Sequence, residues 1–163
     1  LDYSKVTSAG RAFDQVNMLN VLEKVRSDIQ AQMEESKAEL IVTELPEVNG
    51  DELQLRQLLQ NLVSNGIKFS RANIRPVIQV RAEKNKDIWT FAVEDNGIGL
   101  DMRYKEKVFQ IFSRLHTSDK YHGSGIGLAV CKRIVERHGG NIWLDSTPGK
   151  GTTVYFTIAS GKS

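Results

Sequence analysis

The fold is decided by residues 77–100, which read VIQVRAEKNKDIWTFAVEDNGIGL. Apolar and polar residues alternate over 77–83 and again over 88–94, which is the period of a half-buried strand. The charged or polar residues between them, Lys84-Asn85-Lys86-Asp87, predict a tight turn. The two strands therefore form an antiparallel hairpin, which argues against a doubly wound sheet in which a helix follows every strand.

The segments on either side of this hairpin predict further helices and strands. Apolar residues at three- or four-residue steps predict helices at 17–36, at 126–138, and from the N-cap Asp51 to about 69. Short alternating segments predict strands at 40–43, 141–145 and 153–159. A turn is predicted around Pro46 and Asn49-Gly50. We expect an α/β (α+β) two-layer sandwich, in which a mixed, mostly antiparallel sheet of about five strands carries three helices on one face.

The composition is that of a small folded domain. Of the 163 residues, 40% are hydrophobic and 26% are charged, which excludes intrinsic disorder. The net charge of +2 argues against a nucleic-acid surface and against a polybasic membrane anchor. No apolar window has the length of a membrane span, so we expect a cytoplasmic domain that contacts neither membrane nor nucleic acid. The single cysteine, Cys131, is expected to be buried on the third helix and inert.

A polar stripe lies on the second predicted helix, within Asn61-Leu-Val-Ser-Asn65-Gly-Ile-Lys68-Phe. At about 100° per residue, Asn61, Asn65 and Lys68 share one face, opposite the apolar residues. Two amides and an ammonium group suit Mg²⁺ and phosphate, because Mg²⁺ prefers oxygen ligands and phosphate pairs with a cation. Taken alone, the stripe is also compatible with an ordinary solvated helix face.

A carboxylate followed by alternate glycines ends the hairpin. Asp95 leaves the strand, and Gly97 and Gly99 would let a planar ligand approach the backbone closely. The carboxylate could then accept a hydrogen bond from an amino group such as that of adenine. An ordinary Asp-Asn-Gly turn is the alternative.

A second glycine-rich stretch, Gly123-Ser-Gly125-Ile-Gly127-Leu128, opens the third helix. Free N–H groups at a helix N-terminus suit phosphate. The spacing is Gly-x-Gly-x-Gly, and a long loop precedes it. Both features exclude the dinucleotide fingerprint, which needs Gly-x-Gly-x-x-Gly between the strand and the helix of a βαβ unit.

Two more motifs complete the series. Phe109-Gln-Ile-Phe112 lies in the polar loop, with Arg114 just beyond, and its two phenylalanines would anchor a movable lid to the body. The stretch 149–153 leads into the last strand, where a hydroxyl group could reach a base through water. A plain hairpin turn is the alternative for that stretch.

In this order, the motifs resemble those of the catalytic ATP-binding domain of sensor histidine kinases, a Bergerat-fold domain of the superfamily shared with gyrase, Hsp90 and MutL. The resemblance covers about residues 13–160. It places the N box at 61–69, the G1 box at 95–99, the F box at 109–112 and the G2 box at 123–128. Residues 112–121 are most similar to phytochrome-type kinases.

The resemblance also implies a domain organisation. Residues 13–163 would form the catalytic ATP-binding domain, with an ATP lid at about 100–124. Residues 1–12 would be the tail of a preceding helical domain that carries the acceptor histidine and dimerises. Because the chain starts at Leu1, we expect it to be a fragment of a longer protein.

The resemblance implies a role for each matching residue. The catalytic residues would be Asn61, Lys68 and Arg114, the last two at the terminal phosphates. The Mg²⁺ ligand would be Asn65, with Asn61 supporting the metal or its water. The ATP-binding residues would be Asp95 at the adenine amine, Gly97 and Gly99 beside the base, Gly123, Gly125, Gly127 and Leu128 at the phosphates, and Thr152 through a water to the base.

One position separates two kinds of chemistry. Hydrolytic members of the superfamily have a Glu four residues before the metal-binding Asn, and this chain has Asn61 there, whose neutral amide cannot act as a general base. His116, His122 and His138 do not lie in the family's acceptor motif, His-Glu/Asp-Leu-x-x-Pro. His138 is expected at a helix C-terminus, where a partly charged imidazole is favoured.

The acceptor histidine is therefore expected on a separate dimerisation domain of the same full-length protein, with onward transfer to the receiver domain of a response regulator. The fragment would be a monomer and its parent a homodimer. A hydrolytic conformational ATPase is one alternative, and Asn61 counts against it. A nucleotide-binding interaction module without activity is the other, and intact Asn65, Lys68 and Asp95 count against that.

Overall fold

A five-stranded sheet and a layer of helices dominate the computed structural model, which describes residues 12–104 and 124–159. In chain order the elements are β1 (Asp14–Asn17), α1 (Met18–Asp28), α2 (Gln30–Ser36), β2 (Glu39–Val42), β3 (Glu47–Gly50), α3 (Glu52–Lys68), β4 (Val77–Asn85), β5 (Ile88–Asp95), a short 3₁₀ helix (Met102–Tyr104), α4 (Ser124–Arg137), β6 (Ile142–Thr147) and β7 (Gly151–Ala159). Over the described ranges, no helix is both long and apolar enough to cross a bilayer.

The large sheet has the strand order β2-β4-β5-β7-β6. Its β2–β4 pair is parallel, and the other three pairs are antiparallel. The predicted hairpin is confirmed, with Ile78 opposite Asp95 at one end and Asn85 opposite Ile88 at the other. Asp95 therefore stands at the open end of the hairpin, where the chain leaves the sheet.

The core lies between this sheet and the helices. Alternate strand residues point inward, and at the centre Phe91 of β5 stacks on Phe156 of β7, with ring centroids 4.9 Å apart. Leu58 and Leu59 of α3 are fully buried in the same cluster. The predicted two-layer α/β sandwich with a mixed, mostly antiparallel five-stranded sheet is confirmed.

The helical layer differs from the prediction in one respect, because the first helix is two helices. The chain leaves helical geometry at Ile29, where φ is −109° and ψ is 22°. α1 buries apolar residues, whereas α2 has no fully buried residue. Just before the break, Asp28 accepts two hydrogen bonds from Arg56 of α3, at 2.7 and 2.6 Å. The described chain thus contains four α-helices, and the regular apolar spacing of 17–36 continues through a bend.

A small two-stranded sheet was not predicted. β1 pairs antiparallel with β3, so that Val16 lies opposite Val48, and both valines are buried. The segment 47–50 is therefore a strand, and the predicted turn at Asn49-Gly50 is wrong. Each strand has only four residues with one clear inward apolar side chain, which is too short for alternation to show in the sequence.

The N-terminus of α3 is fixed by contacts with the end of α4. Asp51 caps α3 as predicted, accepting from the Gln54 N–H at 3.2 Å, and it also pairs with Arg137 at 2.9 Å. His138 accepts the Asp51 N–H at Nε2 (3.1 Å), and its Nδ1 lies 2.8 Å from the Ile134 carbonyl oxygen. These contacts anchor the helix that carries Asn61, Asn65 and Lys68.

The expected charge on His138 is wrong. The ring is buried and stacks on Phe13 at 4.6 Å. Burial is the largest cause of a lowered His138 pKa, since it removes the charged form from water. Nε2 must be unprotonated to accept the Asp51 N–H, so the neutral ring with its proton on Nδ1 fits both contacts.

Replacing Asp51 by Ala should destabilise the fold. The change removes the N-cap of α3 and leaves Arg137 without its carboxylate, and we expect the free energy of unfolding to fall by about 2–4 kcal/mol. Urea unfolding at pH 7 measures this. Asp87→Ala, in the exposed turn between β4 and β5, is the control and should change the value by no more than about 0.5 kcal/mol. Equal effects of the two substitutions would contradict the anchoring role of Asp51.

Candidate active site

The carboxylate of Asp95 joins two segments that are distant in the sequence. Its Oδ1 accepts hydrogen bonds from the backbone N–H of Gly97 at 2.9 Å and of Thr152 at 3.2 Å. No group in the described part of the chain donates to Oδ2. Two predicted site residues, Asp95 and Thr152, are thus in contact, and one carboxylate oxygen remains available to a ligand.

Burial dominates the ionisation of Asp95. Removal from water raises the pKa of its carboxyl to about 6, although the N–H groups of Gly97 and Thr152 act in the opposite direction. Glu94 next to it adds a further increase. At pH 7 the group is still mostly ionised and Oδ2 is a hydrogen-bond acceptor, whereas below about pH 6 it takes up a proton.

The glycines after Asp95 are needed by the chain itself. A Cβ on Gly97 would lie 2.4 Å from the carbonyl oxygen of Phe69. A Cβ on Gly99, where φ is +69°, would lie 2.1 Å from the carbonyl oxygen of Thr147. The Ile98 N–H between them donates to the Phe69 carbonyl at 2.9 Å. Close contact of the G1 box with α3 and with the end of β6 therefore requires both glycines whether or not a ligand is bound.

Sequence analysis missed Ser146, a buried polar residue of β6. Its Oγ accepts the Leu100 N–H at 2.8 Å, donates to the Gly151 carbonyl at 3.0 Å, and lies 2.7 Å from the Thr152 hydroxyl. Because the one Ser146 proton goes to Gly151, Thr152 is the donor in their pair, and its own lone pairs can accept from a water. Ser146 lies two residues after Leu144, so both side chains are on the buried face of β6. A polar residue on a buried strand face needs hydrogen-bond partners, and this feature of the sequence could have identified Ser146.

α3 brings the amide stripe alongside Asp95. A Cβ on Gly66 would lie 2.7 Å from Cδ1 of Ile78 and 3.2 Å from Cβ of Asp95. This close approach accounts for a glycine in mid-helix, where it costs about 1 kcal/mol relative to Ala. The preceding residue, Asn65, is half-buried, and its Nδ2 atom is buried without a hydrogen-bond partner in the described chain.

The Asn65 amide is suited to bind a Mg²⁺ ion and a nucleotide phosphate together. A buried polar atom without a partner costs about 1–3 kcal/mol, so this amide is suited to a group from outside the chain. Its Oδ1 is a neutral oxygen ligand for Mg²⁺, and its Nδ2 can donate to a phosphate oxygen. Within the described ranges, no three His, Cys, Asp or Glu side chains cluster to hold a metal.

Asn61, one turn before Asn65, hydrogen-bonds to the thiol of Cys131 on α4. The thiol proton is directed to the Leu58 carbonyl, 4.0 Å from Sγ, so the Asn61 amide nitrogen donates to the sulfur. Burial raises the pKa of Cys131 to about 12. Cys131 is thus buried on α4 and unreactive, as predicted.

The remaining predicted residues are distributed over three places. Lys68 ends α3 and is exposed. Gly125 and Gly127 lie in the first turn of α4, which begins two residues earlier than predicted, and Leu128 packs partly buried against the core. Outside the described residues lie Arg114, the F box at 109–112, Gly123 and most of the predicted lid.

The chain matches a known protein family over most of its length. Residues 50–162 match the family described as "Histidine kinase-, DNA gyrase B-, and HSP90-like ATPase". The chain belongs to this ATPase family. The family that the order of the N, G1, F and G2 boxes predicted is thereby confirmed.

Relatives within this family include sensor kinases. The chain is 45% identical over 161 residues to the phytochrome-like protein Cph1 of Synechocystis sp., which covers 99% of this chain and 21% of that protein. It is 37% identical over 110 residues to the sensor histidine kinase WalK of Bacillus subtilis, which covers 66% of this chain and 18% of that protein. The chain therefore spans about a fifth of the length of these relatives. The first of them agrees with the predicted similarity to phytochrome-type kinases.

Solved structures of the same family share the fold. The catalytic domain of the histidine kinase ThkA matches with a TM-score of 0.78 and 25% identity, over 92% of this chain and 97% of that chain. Full-length ShkA in complex with AMPPNP matches with a TM-score of 0.80 and 23% identity, over 99% of this chain and 35% of that chain. The predicted fold is thus that of histidine kinase catalytic domains.

Gly99→Ala and Gly149→Ala form a matched pair that tests the close approach at the G1 box. Both glycines have positive φ, at +69° and +80°, but a Cβ on Gly149 would have nothing within 4 Å. Gly149→Ala should lower the free energy of unfolding by about 1 kcal/mol, and Gly99→Ala by about 3 kcal/mol or more, because only the latter collides with backbone. Thermal and urea unfolding measure the difference. Equal losses would show that backbone conformation alone requires Gly99.

Asp95→Asn should stabilise the ligand-free protein at pH 7. The carboxyl pKa is about 6 in the fold against an ordinary value of 3.8, so the folded state binds the proton more tightly than the unfolded chain does. Ionisation at higher pH therefore destabilises the fold. An amide avoids this cost, and we expect a gain of about 1–2 kcal/mol at pH 7 that disappears as the pH falls to about 4. Urea unfolding at both pH values measures it. A variant less stable than the parent at pH 7 would contradict the raised pKa.

Proposed function

We propose that this domain binds Mg-ATP and transfers the γ-phosphoryl group to a histidine on a separate dimerisation domain of the full-length protein. The phosphoryl group would then pass to the receiver domain of a response regulator. The observation that carries the proposal is the state of Asp95, whose Oδ1 accepts from two backbone N–H groups while Oδ2 has no donor within residues 12–104 and 124–159. A buried carboxylate with one open oxygen suits an amino group as its ligand.

Adenine recognition follows from this geometry. The exocyclic amine donates to Oδ2, and the base is oriented further by a water that donates to the Thr152 hydroxyl, which is itself held by Ser146. Guanine has a carbonyl at the position of the amine, so it would place an acceptor against the carboxylate and be rejected. Because Asp95 takes up a proton near pH 6, ATP affinity should fall as the pH drops through that value.

The phosphates would lie along α3 toward α4. Asn65 offers a buried amide with an unpartnered nitrogen, Lys68 offers a cation one turn further on, and the first turn of α4 offers backbone N–H groups. When bound, a Mg²⁺ ion would neutralise charge on the phosphates. Phosphoryl transfer depends mainly on positioning and charge, and these residues of the chain supply both.

The chemistry at Asn61 favours transfer over hydrolysis. Its side chain is neutral, and its nitrogen donates to the buried Cys131 thiol, so it provides no base to activate water. The acceptor imidazole of a partner domain is itself a nucleophile and needs no such base. The name of one relative supports this direction, since Bacillus subtilis WalK is a sensor histidine kinase.

The decisive experiment incubates the chain with γ-labelled ATP, alone and with the helical dimerisation domain of its full-length protein. We expect acid-labile label on the helical domain, no label on this chain, and slow release of phosphate. Rapid phosphate release by the chain alone would favour a hydrolase. Absence of nucleotide binding in calorimetry at millimolar ATP would reject the proposal altogether.

Asn65→Ala tests the metal and phosphate contact within that proposal. Removal of the amide should lower Mg-ATP affinity at least tenfold, since about 1.4 kcal/mol or more of ligand and charge contact is lost. Asn85→Ala, at the far end of the hairpin, is the matched control and should bind as the parent does. Calorimetry with AMPPNP, with and without Mg²⁺, measures both variants. If Asn65→Ala keeps the full Mg²⁺ dependence, Asn65 is not the ligand.

A further inference from the structure

A basic groove borders the proposed nucleotide site and shares Lys68 with it. It encloses about 1200 Å³ between the end of α2, the end of α3, the connection 70–76 and Ile98 of the G1 box. Its cationic side chains are Lys37, Lys68, Arg71 and Arg75, and among the described residues none that lines it is acidic. We call this feature, defined by these four side chains, the basic groove.

The two arginines of the basic groove are held in place. Arg71 donates through Nε to the Asn96 carbonyl at 2.9 Å, and Arg75 donates through Nε to the Lys37 carbonyl at 2.7 Å. The Asn96 side chain fixes the same connection, because it accepts the Val77 N–H at 2.9 Å and donates to the Arg75 carbonyl at 3.0 Å. Preorganised guanidinium groups lose little conformational entropy when they bind a carboxylate.

The charge of the basic groove is poorly compensated by the described chain. The carboxylate of Glu39 lies 3.7 Å from Nη1 of Arg75, and both groups are exposed. One carboxylate thus stands against four cations, in a chain whose overall net charge is only +2. Such a local excess attracts an anionic surface.

We propose that the basic groove is the surface on which acidic side chains of the histidine-bearing dimerisation domain bind during phosphoryl transfer. Lys68 belongs both to the groove and to the proposed phosphate site, so an occupant of the groove lies beside the transferred group. Arg71 and Arg75 can each pair with a carboxylate. Ile74, 42% exposed on the same connection, adds an apolar contact. This inference depends on the proposed function and names the partner surface of the same site.

Two lysines of the chain offer a matched test. Lys37 lines the basic groove with φ at +60°, and Lys86 lies in the β4–β5 turn with φ at +59°. Both side chains are exposed, so Lys37→Glu and Lys86→Glu make the same charge change in the same backbone conformation. Lys86 is at the end of the hairpin opposite Asp95, so its substitution should leave the site unaffected.

The experiment measures steady-state transfer from labelled ATP to the supplied dimerisation domain at low and high salt. Lys37→Glu should raise the KM for that domain about three- to tenfold at low salt, with less effect at high salt, because exposed ion pairs are screened. Its affinity for AMPPNP and its unfolding midpoint should match those of Lys86→Glu. Lys37→Gln should fall between Lys37→Glu and the parent.

The outcomes separate the two proposals. If the parent chain transfers no label, the proposed function fails. If the parent transfers label but Lys37→Glu and Lys86→Glu have the same KM for the dimerisation domain, the groove is not its binding surface. If Lys37→Glu instead weakens AMPPNP binding, the groove belongs to the phosphate site, and the inference is wrong.

Discussion

The hydrogen bonds from the Gly97 and Thr152 N–H groups to Oδ1 of Asp95 are the contacts that join the G1 box to the last strand of the sheet. They hold the chain that leaves β5 against the start of β7, and so bring the G1 box to the last strand of the sheet. The carboxylate is buried while it does this, and its raised pKa reflects the cost of that burial. The same packing leaves no room for a side chain at Gly66 on α3. Ile78 and Asp95 together thus limit how closely the amide-bearing helix approaches the sheet.

Much of this arrangement could be predicted from the sequence because it depends on local patterns. The alternation over 77–94 correctly predicted an antiparallel hairpin. Asp51 was correctly predicted as the N-cap of α3. That Asp95 and Thr152 serve one site was implied only by the family resemblance, and the hydrogen bond between them was not predicted. Family resemblance therefore supplied the long-range part of the prediction, and periodicity supplied the short-range part.

What could not be predicted depends on partners far away in the chain. The β1–β3 sheet exists because Val16 and Val48 share a buried position, and neither four-residue strand shows a period by itself. His138 is neutral because Phe13 and the N-terminus of α3 enclose it, and a helix C-terminus viewed alone indicates the opposite. The hydrogen bonds of Ser146 to Leu100 and Gly151 form only in the folded chain, so the sequence around Ser146 does not predict them. The burial of a polar group is a property of the folded chain rather than of a segment.

The position of Cys131 makes its thiol a probe for the separation of α3 from α4. It is the only cysteine in the chain, and it lies where α4 meets α3. A thiol with a pKa of about 12 and no contact with water cannot react with an alkylating reagent until the two helices separate. Labelling of the native protein therefore proceeds through transient separation of these helices, at a rate set by how often it occurs. Since Asn61 is the thiol's neighbour, that rate describes the part of the fold where we propose that the phosphates bind. A bound nucleotide that holds α3 and α4 together would slow it.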